Sequence, residues 1–177
     1  MQLTIRPGHR GDEAAVAHVH VAAWRAAYVG IMPATYLAGL REDDRARTYR
    51  FGTAGAPMTL IAEGTGADAG SGIVGFAALG TLSDGVAQGE LYALNVHPDY
   101  WGRGVGSRLL AAAVEALRAA GVTRATLWVV AANQRARRFY EQRGWRPDGT
   151  GRTESLGRFA GPSTSATVGE VRYAIDL

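Results

Sequence analysis

Cysteine and lysine are both absent from this chain of 177 residues, and each absence excludes a class of function. Without cysteine the chain can form no disulfide, no thiolate metal site and no cysteine nucleophile. Without lysine it cannot form the phosphate-binding loop that ends in Gly-Lys-Ser/Thr. No apolar run approaches the roughly 20 residues that cross a bilayer, and the first residues lack the pattern of a signal peptide. We therefore expect a soluble, cytoplasmic protein without a membrane partner.

The charge of the chain is modest and spread along its length. The formal net charge is +3, and all 19 basic residues are arginine. The alternation of aromatic and basic residues that is typical of nucleic-acid-binding modules is missing, so no nucleic-acid partner is expected. The histidines match no zinc-binding spacing, and we expect no metal. A hydrophobic content of 47% in a chain of this length favours a single domain over residues 1–177.

The pattern of apolar and turn-forming residues predicts a mixed α/β fold. Short alternating or apolar stretches indicate strands, and stretches with apolar residues three and four apart indicate helices. The predicted strands span residues 3–6, 58–63, 73–79, 90–96, 125–130 and 171–177, and the predicted helices span residues 14–28, 34–50, 104–120 and 134–143. Residues 64–72 are expected to connect a hairpin, and residues 149–169 to form a long loop. The predicted order is β-αα-βββ-α-β-α-β-β, a mixed sheet flanked by helices, in which one strand after the last helix has no range assigned.

The most informative segment lies between the predicted strand 90–96 and the predicted helix 104–120. Its glycines at positions 102, 104 and 106 permit backbone dihedrals that other residues resist, and allow a ligand to approach the backbone closely. The first N–H groups of a helix have no partners inside the helix, and the helix dipole adds partial positive charge there. Together these features predict a diphosphate site. The Gly-x-Gly-x-Gly spacing differs from the Gly-x-Gly-x-x-Gly of dinucleotide folds, and a plain glycine-rich turn is the alternative.

This segment resembles the central signature of the GNAT superfamily of acyl-CoA-dependent N-acetyltransferases. The signature is Gln/Arg-x-x-Gly-x-Gly/Ala, matched here by residues 101–106 with Trp101 in place of the usual Gln or Arg. A second similarity is Asn133-x-x-Ala136-x-x-Phe139-Tyr140-Glu141-x-x-Gly144-Trp145. The stretch 21–33 is similar to bacterial members of unassigned substrate, and residues 5–7 are similar to the family's opening strand.

The resemblance implies a GNAT-like fold with a splayed central pair of parallel strands and acetyl-CoA as the cofactor. The pantetheine arm would lie between the strands 90–96 and 125–130. The implied reaction transfers the acetyl group to a primary amine of a small molecule or peptide, by direct attack of the amine on the thioester. The residues implied to contact the cofactor are Leu94, Asn95, Val96, Trp101, Gly102, Arg103, Gly104, Val105, Gly106, Ser107, Asn133 and Tyr140.

Direct attack needs a group that accepts a proton from the amine and one that donates a proton to the departing thiolate. Tyr140 is the candidate acid, because a phenol with an ordinary pKa of about 10 is protonated at neutral pH. Glu90 is the candidate base, directly or through water, and a candidate acceptor contact. His97 has a suitable ordinary pKa, but its place just after a strand favours a role in the turn.

Trp24 and Tyr28 are predicted to contact the acceptor, because with His20 they form one stripe along a helix. Packing of these two aromatic residues on the sheet is an equal alternative. Aminoglycosides, amino acids, polyamines and protein N-termini all remain open as acceptors.

Two other functional classes remain open at this stage, a non-catalytic acyl-CoA-binding sensor and a nucleotide-binding regulatory domain. The last strand could also pair between two copies of the chain, so a homodimer is a further alternative.

Overall fold

The computed structural model describes residues 2–53, 56–65, 72–82, 87–159 and 161–177. Within these ranges seven strands form one mixed sheet with the order β1-β2-β3-β4-β5-β7-β6. The strands are β1 (Gln2–Pro7), β2 (Met58–Thr65), β3 (Gly72–Thr81), β4 (Gln88–Val96), β5 (Arg124–Val130), β6 (Arg146–Ser155) and β7 (Thr167–Asp176). The helices are α1 (Glu13–Ala27), α2 (Ala34–Ala38), α3 (Glu42–Ala46), α4 (Val105–Ala119) and α5 (Gln134–Glu141). The predicted fold class is confirmed.

Helices α1 and α4 cover opposite faces of the sheet. Leu60 and Ala62 of β2 belong to the cluster that packs on α4, whereas Ile61 between them packs with residues of α1. This alternation follows from the two-residue period of a strand, and both faces are therefore apolar. Because helices pack on both faces, the strands are held in place, and so is the edge of the sheet where the candidate site residues lie.

The central feature of the sheet is the parallel pair β4 and β5, which separates halfway along. The two strands are in register from Gln88 opposite Arg124 to Leu91 opposite Leu127, and no further. On its other side β4 continues to pair with β3, but the register shifts so that Leu79 is opposite Leu91 and Ala78 is opposite Ala93. One residue of β4, Tyr92, is therefore extra, and such a bulge bends a strand and increases its twist. The bulge lies where β4 leaves β5, and the predicted splayed pair is confirmed.

One predicted helix, residues 34–50, is wrong in its extent. It is divided into α2 and α3, because α2 ends at Gly39 and Arg41 adopts an extended conformation with φ −119° and ψ 135°. Gly39 lies against Pro162, whose Cγ would be 2.4 Å from a Cβ at this position. Only glycine fits such a close approach, and the helix stops there.

The predicted long loop over residues 149–169 is also wrong. Residues 149–155 belong to β6 and residues 167–169 to β7, and the two strands pair antiparallel from Gly151 opposite Val171 to Ser155 opposite Thr167. β6 is an edge strand with mostly exposed side chains, so it has no apolar face that its sequence could reveal. The tip of the predicted hairpin, residues 66–71, lies outside the described residues.

Candidate active site

A cleft opens where β4 and β5 separate. Its volume is about 520 Å³, and it is lined by both strands, the start of α4, one face of α5, and side chains of α1, α3 and β7. This size is in the range of sites for small molecules and cofactors. The edge of β4 that faces β5 has no strand partner after Leu91 within the described residues, so its backbone groups there are not taken up by a neighbouring strand and can meet a ligand. The exception is the Val96 carbonyl, which accepts a hydrogen bond from the Trp101 indole.

The glycine-rich segment forms one end of the cleft, which we call the loop end (residues 101–107). Gly102 and Gly104 have φ values of +74° and +81°, a conformation that side chains with a Cβ resist. The helix bond from the Arg108 amide to the Gly104 carbonyl is 3.1 Å long. The amides of the first turn before Arg108 have no carbonyl to reach inside the helix. These amides and the helix dipole suit a diphosphate, and the residues present fit the predicted cofactor.

Trp101, the position at which the signature departs from the family pattern, joins the loop to β4. Its indole Nε1 donates a hydrogen bond of 2.7 Å to the Val96 carbonyl. The guanidinium carbon of Arg135 lies 3.4 Å from the centre of the Trp101 ring, a distance typical of a cation–π contact. The indole therefore braces the loop, and Arg135 from α5 supplies a positive charge at the loop end.

Helix α5 is also tied to the start of α4. The Arg143 Nη2 donates a hydrogen bond of 2.5 Å to the Ser107 hydroxyl, and the guanidinium of Arg143 lies 3.9 Å from the centre of the Phe139 ring. Phe139 also lies 3.4 Å from where a Cβ of Gly106 would be. The glycine lets α5 pack closely on the loop end, and this contact sets the position of Tyr140.

Tyr140 is buried in the wall of the cleft, between Phe139 and Trp145. Burial, together with the nearby hydroxyl of Tyr28, raises the pKa of Tyr140 well above its usual value of 10.0. The phenol therefore keeps its proton throughout the physiological range and can act as a hydrogen-bond donor in the cleft.

Asn133 and Tyr28 lie close together in the wall of the same cleft. The Asn133 side chain accepts a hydrogen bond of 3.1 Å from the Ala136 amide and so caps the start of α5. It also forms a hydrogen bond with Tyr28. Burial raises the pKa of Tyr28 to about 12, and the charge of Glu170 adds to the rise. Tyr28, Asn133, Tyr140 and Glu170 therefore share one polar region of the cleft.

Glu170 is the carboxylate that β7 contributes to this region, and it is almost fully buried. The Nε and Nη2 atoms of Arg152 each lie 2.8 Å from its Oε2 atom. Arg152 itself lies over the ring of Trp128, 4.0 Å from its centre, on the strand β5. A buried carboxylate with one charged partner and an open side toward the cleft is suited to holding a cationic group.

The other end of the cleft, which we call the aromatic end, is built by His20, Trp24, Tyr28, Arg45 and Phe159. Trp24 packs against Tyr28 at 5.2 Å and against Phe159 at 5.3 Å between ring centres. The guanidinium carbon of Arg45 lies 5.4 Å from the centre of the Trp24 ring. The predicted stripe of α1 therefore does face the cleft, and Trp24 packs on other aromatic residues at the same time.

Residues 19–145 match the family model of the acetyltransferase (GNAT) family. The chain belongs to the acetyltransferase (GNAT) family. The match covers well over half of the chain and includes the loop end, α5 and Tyr140. The resemblance to the GNAT superfamily that was predicted from the sequence is confirmed.

Similar protein sequences and similar solved structures are both consistent with this family. A segment of 61 residues is 48% identical to mycothiol acetyltransferase of Beutenbergia cavernae, but it spans 34% of this chain and 20% of that protein. Among solved structures, PaiA N-acetyltransferase from Thermoplasma acidophilum in complex with coenzyme A is similar over 100% of both chains, with a TM-score of 0.73 and 20% identity. YncA of Salmonella typhimurium with acetyl-CoA is similar over 100% of this chain and 95% of its own, with a TM-score of 0.68 and 19% identity. The two structural likenesses show the GNAT fold.

Most of the site residues predicted from the sequence line the cleft. They are Trp24, Tyr28, Leu94, Asn95, Val96, Trp101, Gly102, Gly104, Val105, Gly106, Ser107, Asn133 and Tyr140. Arg103 does not; its guanidinium carbon lies 5.6 Å from the centre of the Tyr100 ring instead. Glu90 also lies outside the lining, opposite Thr126 in the part of β4 that is still paired with β5. The role of Glu90 as a base stays a prediction.

His97 has the turn role that the sequence favoured. Its Nδ1 accepts a hydrogen bond of 3.4 Å from the Asp99 amide at the start of a short 3-10 helix, Pro98–Tyr100, and its ring stacks on His18. It is not part of the cleft lining.

Sequence reasoning missed Glu170, Arg45, Arg135, Arg143 and Trp128 as cleft residues. A signal existed for Glu170, because it alternates with the buried Val168 and Ala174 along β7 and so occupies an inward position of a strand. No such signal existed for Arg45, which lies on a five-residue helix that is charged around most of its surface.

The described helices include none that is long and apolar enough to cross a membrane. In the same residues, no group of three or more histidine, aspartate or glutamate side chains is arranged to hold a metal ion.

Proposed function

We propose that this protein transfers the acetyl group of acetyl-CoA to the amine of a small molecule, with Tyr140 donating a proton to the leaving group. The observation that carries the proposal is that one cleft joins the glycine-rich loop end, the free edge of β4 and the buried phenol of Tyr140. The family gives the class of reaction, and the cleft gives the positions of the groups.

The loop end would hold the diphosphate through the amides of residues 104–107, with Arg135 and Arg143 adding positive charge. The pantetheine arm would follow the free edge of β4 over residues 92–96. Acetyl-CoA supplies the acetyl group as a thioester, whose carbonyl oxygen gains negative charge as the amine adds. A backbone N–H of β4 at this edge would stabilise that charge, and one such donor lowers a barrier by about 3–4 kcal/mol.

The amine must arrive near Tyr140 and lose a proton before or during attack. Glu170 is the carboxylate that the cleft presents beside Tyr28. We propose that Glu170 binds the ammonium form of the acceptor, and that its proton leaves through water. The C–N bond forms as the C–S bond breaks, and Tyr140 gives its proton to the sulfur. The second proton that the nitrogen loses on becoming an amide returns through water to the Tyr140 oxygen, so that the phenol is restored. Asn133 and Tyr28 would orient these groups through their hydrogen bond.

Thiol release from acetyl-CoA with a panel of amines tests the proposal, with Glu170→Gln and Glu90→Gln measured side by side. Because Glu170 lines the cleft and Glu90 does not, we expect Glu170→Gln to lower kcat/KM by about 100-fold, and Glu90→Gln to change it by less than about fivefold. The reverse order would restore Glu90 as the base predicted from the sequence.

The panel also decides between an enzyme and a non-catalytic sensor. Tight acetyl-CoA binding without thiol release for any amine would contradict the proposed transfer and favour the sensor.

A further inference from the structure

Arg45 is a buried cation with no acidic partner among the described residues. Its exposed fraction is 8%, and it lines the aromatic end of the cleft. Its Nη2 donates a hydrogen bond of 3.0 Å to the Phe159 carbonyl, and its Nε is buried without a partner in the described part of the chain. Burial lowers the pKa of Arg45, and the ionisable groups near it in the described residues are the phenols of Tyr49 and Tyr36. Burying a charge without a counterion is costly, so a ligand that supplies one would be bound favourably.

His20 provides a second unsatisfied group at the same end. Its exposed fraction is also 8%, its Nδ1 lies 2.6 Å from the Tyr49 hydroxyl, and its Nε2 is buried without a partner among the described residues. When the Tyr49 hydroxyl donates to Nδ1, the proton of the neutral ring is on Nε2. Nε2 is then a donor without an acceptor in the wall of the cleft.

We propose that the acceptor is a small amine that also carries a carboxylate group, and that Arg45 binds this carboxylate with His20 beside it. The inference rests on the proposed function, since it assumes that an amine enters this cleft. It goes further in assigning the chemical class of the acceptor and the residue that selects it.

The arrangement of charges along the cleft supports this class. Arg45 contacts Trp24, Trp24 contacts Tyr28, and Tyr28 is close to both Tyr140 and Glu170. The aromatic end thus carries a positive charge, and the reacting region carries the carboxylate of Glu170. An amino acid or a similar molecule has the complementary pattern, an ammonium group for Glu170 and a carboxylate for Arg45. A polyamine has cations at both ends, one of which would meet Arg45.

The alternative is that Arg45 only anchors the turn near Phe159. A second residue, Tyr36, anchors the same turn and allows this alternative to be tested. The Tyr36 hydroxyl also hydrogen-bonds the Phe159 carbonyl, at 3.3 Å, and the Leu156 carbonyl, at 3.0 Å. If Arg45 only anchored the turn, removing the Tyr36 hydroxyl would have a similar effect on activity. Tyr36 does not line the cleft, so Tyr36→Phe is a matched control for loosening of the turn.

The test measures thiol release from acetyl-CoA with natural α-amino acids and with ω-amino acids of increasing length, each compared with its amide, and with spermidine. For the best acid we expect the wild type to prefer the acid over its amide by about 100-fold in kcat/KM, the scale of a buried charge pair. Arg45→Gln should reduce this preference to less than about fivefold, mainly through KM, whereas Tyr36→Phe should keep it. Calorimetry with acetyl-CoA checks that Arg45→Gln still folds, and Arg45→Lys, which keeps the charge, should keep most of the preference.

Equal use of acids and amides by the wild type, a preference for spermidine, or an unchanged preference in Arg45→Gln would each overturn the inference. Calorimetry of the same acids and amides with the CoA-bound protein distinguishes a failure of this inference from a failure of the proposed acetyl transfer. Acids that bind more tightly than amides in an Arg45-dependent way, without thiol release, would support the inference and contradict the transfer. Acids and amides that bind alike would overturn the inference even if transfer to other amines occurs.

Discussion

The two ends of the cleft are built in different ways. The loop end comes from one continuous stretch, residues 101–107, and offers mainly backbone amides at the start of a helix. The aromatic end is assembled from side chains of α1, α3 and the turn near Phe159, which lie far apart in the sequence. The loop end has groups that suit any molecule with the same diphosphate, whereas the aromatic end carries two buried side chains, His20 and Arg45, with atoms that lack partners in the described residues.

We propose that this difference separates the binding of acetyl-CoA from the choice of the acceptor. A backbone site depends on the course of the chain and tolerates changes of side chain, as Trp101 shows by replacing the usual Gln or Arg. A side-chain site depends on the identity of each residue. Substitutions at the loop end should therefore change the affinity for acetyl-CoA, and substitutions at the aromatic end should change the choice of acceptor.

The largest effect should come from Tyr140, which lies where the two ends meet. Tyr140→Phe should lower kcat by about 100-fold, because the phenyl ring cannot give a proton to the leaving thiolate. The affinity for acetyl-CoA, measured by calorimetry, should stay within about twofold of the wild type, because no backbone amide of the loop is altered. Unchanged turnover would remove Tyr140 from the mechanism.

The pH dependence of the wild-type rate also tests the role of Tyr140 as an acid. Tyr140 must keep its proton to act as an acid, and burial raises its pKa well above 10.0. The rate should therefore show no decline due to loss of this proton up to a pH of about 10. A decline near pH 8 that is absent from the residual activity of Tyr140→Phe would contradict this assignment.

A matched pair of glycines tests the loop end. Gly104 and Gly149 have similar φ values, +81° and +86°, and a Cβ would meet nothing within 4 Å at either position. Alanine in this conformation costs about 1–2 kcal/mol at each site, so both variants should lose similar stability. Only Gly104→Ala should also weaken acetyl-CoA binding, by about 10-fold or more, because the amides after it change direction. Equal affinities in the two variants would mean that the loop does not bind the diphosphate.

A smaller effect is expected for Arg135, the cation that stacks on Trp101 at the signature position where the family usually has Gln or Arg. Arg135→Gln should raise the KM for acetyl-CoA by about fivefold, and the difference from wild type should shrink as salt is added, because charges near the surface are screened. Trp101→Phe, which keeps a ring but loses the bond to Val96, should have a similar effect. If neither variant changes the KM, the stacked pair has a structural role only.

The smallest effect concerns stability and belongs to the aromatic end. Burial, and then the charge of Arg45, lowers the pKa of His20 well below its usual value of 6.5. Below the unfolded pKa of about 6.5, the unfolded chain gains a proton at this residue that the native protein does not, so stability falls with acidification by up to about 1.4 kcal/mol per pH unit. Urea unfolding between pH 7 and pH 5 should show a shallower fall in His20→Gln, whereas the exposed His9→Gln should change the slope less.

The sequence predicted the loop end and the central part of the fold more completely than the aromatic end. Glycines at 102, 104 and 106, a helix start and the Asn133 cap are local patterns, and local patterns determine local backbone geometry. The splayed strands and the position of Tyr140 followed from the resemblance to the family. The bulge at Tyr92, which accompanies the separation of β4 from β5, depends on pairing with β3 and left no trace in the residues around it.

The sequence predicted the stripe of α1 at the aromatic end, but it did not reveal Arg45 or Glu170, because these residues join the cleft only through tertiary packing. Arg45 lies on α3, a separate helix that follows the extended Arg41, whereas the sequence predicted one continuous helix over residues 34–50. Glu170 lies one residue beyond the predicted loop and is opposite Val130 of β5, which also lines the cleft. The positions of both side chains therefore depend on contacts between distant parts of the sequence.

Calorimetry with acetyl-CoA and with acetyl-pantetheine, which lacks the diphosphate and the nucleotide, tests the central claim most directly. The account predicts micromolar binding of acetyl-CoA and binding of acetyl-pantetheine that is weaker by at least about 100-fold, because the loop amides lose their ligand. Equal affinities for the two molecules, or no heat with acetyl-CoA at millimolar concentration, would contradict it.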